Sequence, residues 1–335
     1  RRLEVHQEAE KRQARRDLLF LFLAALLLRM VGVSWGLPDE THFYSYHPDE
    51  VFVLLPTFGM LEGDWNPHFF NYGTLYLYLV GTVSWVLSLF GFSPAQAATL
   101  APLYLTGRII TAVMGAGTVA LVYLFTREWG SRRLALLAAL LTMLAPLHLV
   151  NSHYATVDVP GTFLLALAAY ASLRIARDGD LKWYLTAGAA VGLAAATKYN
   201  FGAGVVMPIA GHLLRCRWNL RAQAPLLAAL AAVPVFFLVG CPYALSLSGG
   251  PHLREEFLRG LLFEAEHMQE IRTAAFVGMG SGWRYHALYG MSAGLGIPLY
   301  FVSLAGLAYF AVRGKRLSAP AKGPLVIAAV WVVVY

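Results

Sequence analysis

Long apolar runs broken by short basic clusters set the strongest limit on what this chain can fold into. Residues 18–28, 134–144 and 226–239 are almost wholly apolar and too long for ordinary strands. Of the 335 residues 58% are hydrophobic and 13% charged, where soluble domains carry about a quarter charged residues. Length alone would allow two soluble domains. The apolar content and its distribution instead predict an all-α polytopic membrane protein. The net charge of +7 does not argue for nucleic acid, because the cations fall in short clusters between apolar runs. Cytoplasmic loops facing anionic lipid have that pattern.

The clusters fix a topology. They are residues 1–16, then Arg127, Arg132 and Arg133, then Arg174, Arg177 and Lys182, then Arg215, Arg217 and Arg221, then Arg313, Lys315, Arg316 and Lys322. If all are cytoplasmic, an even number of crossings separates each from the next. Apolar runs at about 134–150 and 159–175, 183–199 and 201–214, and 223–245 and 286–312 satisfy this. The first interval holds three runs, 18–37, 72–91 and 103–126, so one should not span. Aromatic-rich 72–91 is the best candidate for an interfacial or re-entrant helix at the outer surface. Strict alternation with an inverted second half is the alternative.

Residues 1–17 then form a cytoplasmic N-terminal segment, and 18–37 is a retained first span rather than a cleaved signal. Outer segments are 38–103, 151–158, the junction near Lys198, and 246–285, with an amphipathic helix over 251–272. Cys216 and Cys241 fall on opposite sides of the bilayer, so no disulfide is expected. The apolar run 325–335 ends without a polar flank, which predicts further helices beyond it.

No Lys or Arg lies between Arg29 and Arg108, yet that stretch carries Asp39, Glu40, Asp49, Glu50, Glu62 and Asp64. The pair Asp49-Glu50, just past the first apolar run, is the leading candidate for proton transfer or metal binding at the bilayer edge; a solvated acidic loop is the rival. His68, His153, Tyr154, Asp158, Lys198, Arg108, Glu266, His267 and Arg284 share the predicted outer side. Transfer of a sugar from a lipid phosphate needs one carboxylate to deprotonate the acceptor hydroxyl. It also needs a cation or metal on the leaving phosphate. Asp49 is the expected base, with Lys198 and Arg108 as phosphate contacts beside His153 and Tyr154. Asp158 would orient the acceptor or bind a metal with Glu50, and His267 is a further candidate ligand. Each has a plainer reading: Lys198 snorkels, Arg108 anchors a helix end, and Asp158 caps the next helix. The histidines lack HxxxH or HxH spacing.

In order, Pro48-Asp49-Glu50, the Asn71-Tyr72-Gly73-Thr74-Leu75 segment, Gly107-Arg108-Ile109, Ala145-Pro146 with Ser152 and Asp158, and Thr197-Lys198 resemble the GT-C integral-membrane glycosyltransferases. The likeness is to the family 39, ArnT-like group of lipid-carrier-dependent enzymes, related to protein O-mannosyltransferases. It covers residues 18–215 well and the rest loosely. The resemblance implies a GT-C-like transmembrane helix bundle over 18–335 with juxtamembrane helices in the first outer loop. It implies a polyprenyl-phosphate-linked sugar as donor, inversion at the anomeric carbon, and Asp49 as base. The acceptor would be a glycan, lipid or protein, at the extracytoplasmic face of the cell membrane. A divalent metal ion is the only cofactor in view, since some relatives use one and others do not. Where ArnT-like enzymes often carry Lys-Pro-Pro, this chain has Asn71-Tyr72-Gly73, which shifts weight to Lys198 and Arg108. A transporter or flippase of a lipid-linked or anionic substrate is the other reading. It would require mid-membrane charges and matched broken helices; Arg29 is the only clear mid-span charge. A non-catalytic membrane scaffold is the third.

Overall fold

The computed structural model describes residues 2–91, 100–216, 223–269 and 280–313. Arg217, Arg221, Lys315, Arg316, Lys322 and the run 325–335 lie outside the described residues, as does the side chain of His267.

Helices dominate. They are α1 (Arg2–Met30), α2 (Pro48–Leu61), α3 (Leu75–Leu89), α4 (Ala101–Arg127), α5 (Arg132–Leu144), α6 (Pro146–Asn151), α7 (Asp158–Arg177) and α8 (Leu181–Ala195). A 3₁₀ turn (Tyr199–Val205) leads into α9 (Val206–Cys216), followed by α10 (Ala224–Gly240). A short antiparallel hairpin, β1 (Leu245–Ser246) and β2 (His252–Leu253), precedes α11 (Glu255–Gln269). Then come α12 (Gly282–Tyr285), a π-helical turn, α13 (Met291–Leu295) and α14 (Ile297–Arg313).

Several helices differ from the sequence expectation. The polar N-terminal segment is continuous with the first apolar run, so α1 begins at Arg2. The 134–150 run breaks at Ala145, because Pro146 cannot extend the preceding ladder of hydrogen bonds. Among the described residues, α4 and α7 are the helices both long and apolar enough to cross a membrane by length and composition; α3, α10 and α14 are apolar but shorter.

Helix α4 is the spine, packing against α1, α5 and α7. In turn α7 packs on α8 and α9, and α8 on α10. The α8–α10 contact is close because Gly188 and Gly192, one turn apart, face the carbonyls of Ala229 and Val233; a Cβ at either would overlap those oxygens. Apolar cores lie between α1, α4 and α5, around Tyr123 and Ala139, and between α7 and α8, around Leu165 and Val191.

The basic clusters meet at one end of the bundle. Arg132 forks onto Asp17 through bonds of 2.7 and 2.8 Å. Arg174 lies 3.1 Å from Glu128, which also pairs with Arg177. The guanidinium of Arg215 donates to the Arg177 carbonyl at 2.8 Å. Four clusters thus share one face, and the start of α2, the start of α7 and the end of α8 lie at the opposite end. Arg29, fully buried in the last turn of α1, donates to Ser152 Oγ and the Ala25 carbonyl, each at 3.1 Å.

Candidate active site

The site begins at the N-terminus of α2. His47 is the N-cap, its Nδ1 accepting from the Asp49 N–H at 3.3 Å, and Pro48 opens the first turn. Two carboxylates in that turn suit the positive end of the helix. They diverge, since successive helical residues point about 100° apart.

Glu50 turns inward and is completely buried. Arg108 of α4 grips it in a fork, Nε to Oε1 at 2.8 Å and Nη2 to Oε2 at 2.7 Å. Ser45 Oγ donates to Oε2 at 2.5 Å and the Ala155 N–H to Oε1 at 2.7 Å. The remaining Arg108 nitrogen donates to the carbonyls of Val33 and Trp35 at 2.9 and 2.6 Å. The pair therefore ties the chain after α1, the start of α2 and the turn before α7 to the spine.

This corrects three sequence expectations. Arg108 is 1% exposed and fully engaged, so it offers no donor to an incoming phosphate. Glu50 has both oxygens taken by Arg108, Ser45 and the Ala155 N–H, and Asp158 is not among its partners. His153 is also committed, its ring nitrogens 2.8 Å from the Leu149 carbonyl and 2.9 Å from that of Val31. Tyr154 packs tilted against His47, ring centroids 4.5 Å apart, and lies 5.6 Å from the Arg108 guanidinium carbon. It supports the α2 N-cap.

Asp49 is left half-buried on the other face of α2. Asp158, in the first turn of α7, receives Lys198 Nζ at 2.9 Å. Both side chains are partly open, Lys198 at 31% and Asp158 at 42%. Asp158 is not the cap of α7, because Val157 holds that position.

Tyr72 lies among these groups. Its ring is 6.0 Å from Lys198 Nζ. Its phenol is pushed up to about 12, first by burial and then by the negative charges of Asp49, Glu264 and Asp158. Asp49, Glu264 of α11 and Asp158 are thus all near enough for their charges to act on the Tyr72 phenol, and Lys198 lies over its ring. Neither Glu264, on the amphipathic helix of the last outer loop, nor Tyr72, at the start of the aromatic-rich segment, was among the expected site residues.

The loop carrying Tyr72 is tightly held. The Tyr199 hydroxyl sits 2.7 Å from the Phe70 carbonyl oxygen and 3.0 Å from that of Tyr72. Thr74 Oγ1 donates to the Gly240 carbonyl at 2.9 Å, and the Leu75 N–H to the Ala196 carbonyl at 2.9 Å. Gly73 lies so close to the end of α8 that a Cβ would overlap the Ala196 carbonyl. That explains Asn71-Tyr72-Gly73 where a bulkier motif was looked for. Gly73→Ala is expected to lower stability by about 1–3 kcal/mol, the usual cost of overpacking. Thermal unfolding of purified protein checks this.

At the rim, His68 adopts a left-handed φ of 49°. It clasps the first outer loop to α11, with Nδ1 3.2 Å from Glu256 and Nε2 3.0 Å from Asp64. The bond to Glu256, then that to Asp64, raises its pKa above the ordinary 6.5, against a smaller opposing effect of burial. A raised folded-state pKa makes the clasp strongest below the unfolded value and weakens it as pH rises through the folded one. Hydrogen-exchange protection factors over residues 64–72 should therefore fall as pH rises past neutrality, and His68→Gln should flatten that profile.

Among the described residues, no three His, Cys, Asp or Glu side chains converge as metal ligands.

Comparison with known proteins agrees with this architecture. Residues 102–240 match the family model described as dolichyl-phosphate-mannose-protein mannosyltransferase. Over 290 residues the chain is 27% identical to the undecaprenyl phosphate-alpha-4-amino-4-deoxy-L-arabinose arabinosyl transferase 1 of Pseudomonas fluorescens, covering 84% of this chain and 49% of that protein. It thus spans about half the length of that curated relative. The oligosaccharyltransferase of Archaeoglobus fulgidus, solved with zinc and sulfate, superposes with a TM-score of 0.62 at 20% identity, over 94% of this chain and 45% of that one. The fold is the GT-C fold. The Saccharomyces cerevisiae protein O-mannosyltransferase Pmt1-Pmt2 complex, solved with its sugar donor, gives a TM-score of 0.51 at 19% identity, over 77% and 34% of the two chains. This GT-C chain is thus similar to lipid-carrier-dependent glycosyltransferases.

Proposed function

We propose that this chain is the catalytic part of an inverting membrane glycosyltransferase. It moves a sugar from a polyprenyl phosphate to an acceptor hydroxyl at the extracytoplasmic face of a multi-pass bundle. The observation that carries the reading is the gathering of Asp49, Asp158 and Lys198 around Tyr72, at the end of the bundle away from the basic clusters. Charge asymmetry of that kind supports a cytoplasmic position for the clusters.

The chemistry follows from which groups are free. Asp49, held outward because Glu50 is held inward, accepts the proton of the acceptor hydroxyl. The acceptor oxygen attacks the anomeric carbon as the bond from that carbon to the phosphate oxygen breaks. The phosphate departs on the polyprenol as a stable anion, so no general acid is required. Lys198, paired in this structure with Asp158, turns toward that phosphate and stabilises its growing charge. Asp158 holds Lys198 in place and receives it again when the product leaves.

Two measurements test this. Purified full-length protein is offered a panel of polyprenyl-phosphate sugars with acceptor, with and without chelator, and release of free polyprenyl phosphate identifies the donor. Release from none of them removes the proposal. Lys198→Ala should weaken use of the donor by about 10–100-fold, the worth of one hydrogen bond to a charged group. An unchanged donor KM and kcat would remove Lys198 from the mechanism.

A further inference from the structure

Apart from the groups around Tyr72, a hollow of about 580 Å³ opens between the β1–β2 hairpin, the first outer loop and the start of α11. Its volume lies in the range of about 300–1,000 Å³ typical of small-molecule sites. Asn66, Ser246, Ser248, Arg254, Glu255 and Arg259 are among the residues lining it. Arg254 is held with its guanidinium carbon 5.2 Å from the centroid of the Tyr243 ring. Its Nε is buried without a hydrogen-bond partner. A buried donor in that state calls for an oxygen.

The charges in the wall point to the kind of oxygen. Arg254 and Arg259 face Glu255 and Glu256, and the His68 imidazole is shared between Glu256 and Asp64. Positive and negative groups balance, so the hollow does not favour an anion. Donors, acceptors and two hydroxyls stand side by side. A sugar hydroxyl donates and accepts at once, and a cluster of such hydroxyls meets this wall without leaving a charge unpaired.

We propose that the hollow binds an uncharged glycan as an acceptor-side subsite. Its part in turnover rests on the glycosyl-transfer reading; the binding itself does not. His68, in its wall, is four residues from Tyr72, a chain span of at most about 14 Å. An oligosaccharide seated here can extend a hydroxyl toward the cleft.

The test uses the detergent-purified full chain carrying Asp49→Asn, offered an array of neutral and sialylated oligosaccharides without donor. Saturable retention on a subset of neutral glycans is expected, weakened at least about tenfold by Arg254→Ala, as loss of one charged hydrogen bond implies. Ser248→Ala, in the exposed hairpin, should weaken it less, with an unchanged melting temperature. Inorganic phosphate should not compete. Retention on no neutral glycan, retention unaltered by both variants, or displacement by phosphate overturns the assignment. Because the Asp49→Asn background leaves the hollow intact, glycan binding can be found without transfer, or transfer in the parent without glycan binding. The two readings therefore fail separately.

Discussion

Asp49→Asn is expected to lower sugar transfer by about 10²–10⁴-fold, the usual contribution of a positioned general base. The protein should still fold and still bind donor. Asp49 is half-buried, and its neighbour Glu50 carries the contacts that anchor the start of α2. Losing one charge near a helix N-terminus costs about 0.3–1 kcal/mol. Circular dichroism and melting should thus stay near the parent while turnover collapses. Near-parental transfer by this variant would remove Asp49 as the base.

The second large effect concerns stability. Arg108→Ala leaves the Glu50 carboxylate fully buried without its counter-ion. Breaking a buried pair from one side costs about 3–5 kcal/mol, so this variant should melt far below the parent or fail to fold. Replacing both partners by leucine should cost much less, because no charge is stranded. The double variant also addresses the catalytic question. Since the hydrogen bonds of Arg108 go to Glu50 and two carbonyls and its only ring contact is Tyr154, donor affinity in the folded double variant should be close to parental. A selective loss of donor affinity without loss of stability would return Arg108 to the phosphate site.

Particular residues show how far the sequence could be read. The helices were legible because apolar period and basic punctuation mark them independently, as at Arg132 and Arg174, whose ion pairs lie at a shared end of the bundle. Asp49 and Lys198 were legible as polar residues at the edges of apolar runs. The roles of Glu50 and Arg108 were not, although a signal existed. Arg108 is the first cation after Arg29, eight residues into an apolar helix, and a charge so placed requires a partner. The acid adjoining Asp49 could have been named as that partner. Glu264 and the His68 clasp depend on how α11 folds back over the first outer loop, across some 190 residues of sequence, and Tyr199 reaches the Phe70 and Tyr72 carbonyls from 129 and 127 residues away. No local period encodes that contact. The junction near Lys198 was legible, but the 3₁₀ turn delays the start of α9 to Val206, where the next apolar run was expected from 201.

The central claim is that Asp49 and Lys198 face one pocket open to the non-cytoplasmic side. It is tested most directly by placing Asp49→Cys and Lys198→Cys separately in a Cys216→Ser, Cys241→Ala background. Each is then treated with a membrane-impermeant maleimide in sealed vesicles of both orientations. Both positions should react from the non-cytoplasmic side, and a polyprenyl-phosphate sugar that the parent turns over should shield both. Reaction from opposite sides, or reaction at either position that the donor does not slow, would contradict the account.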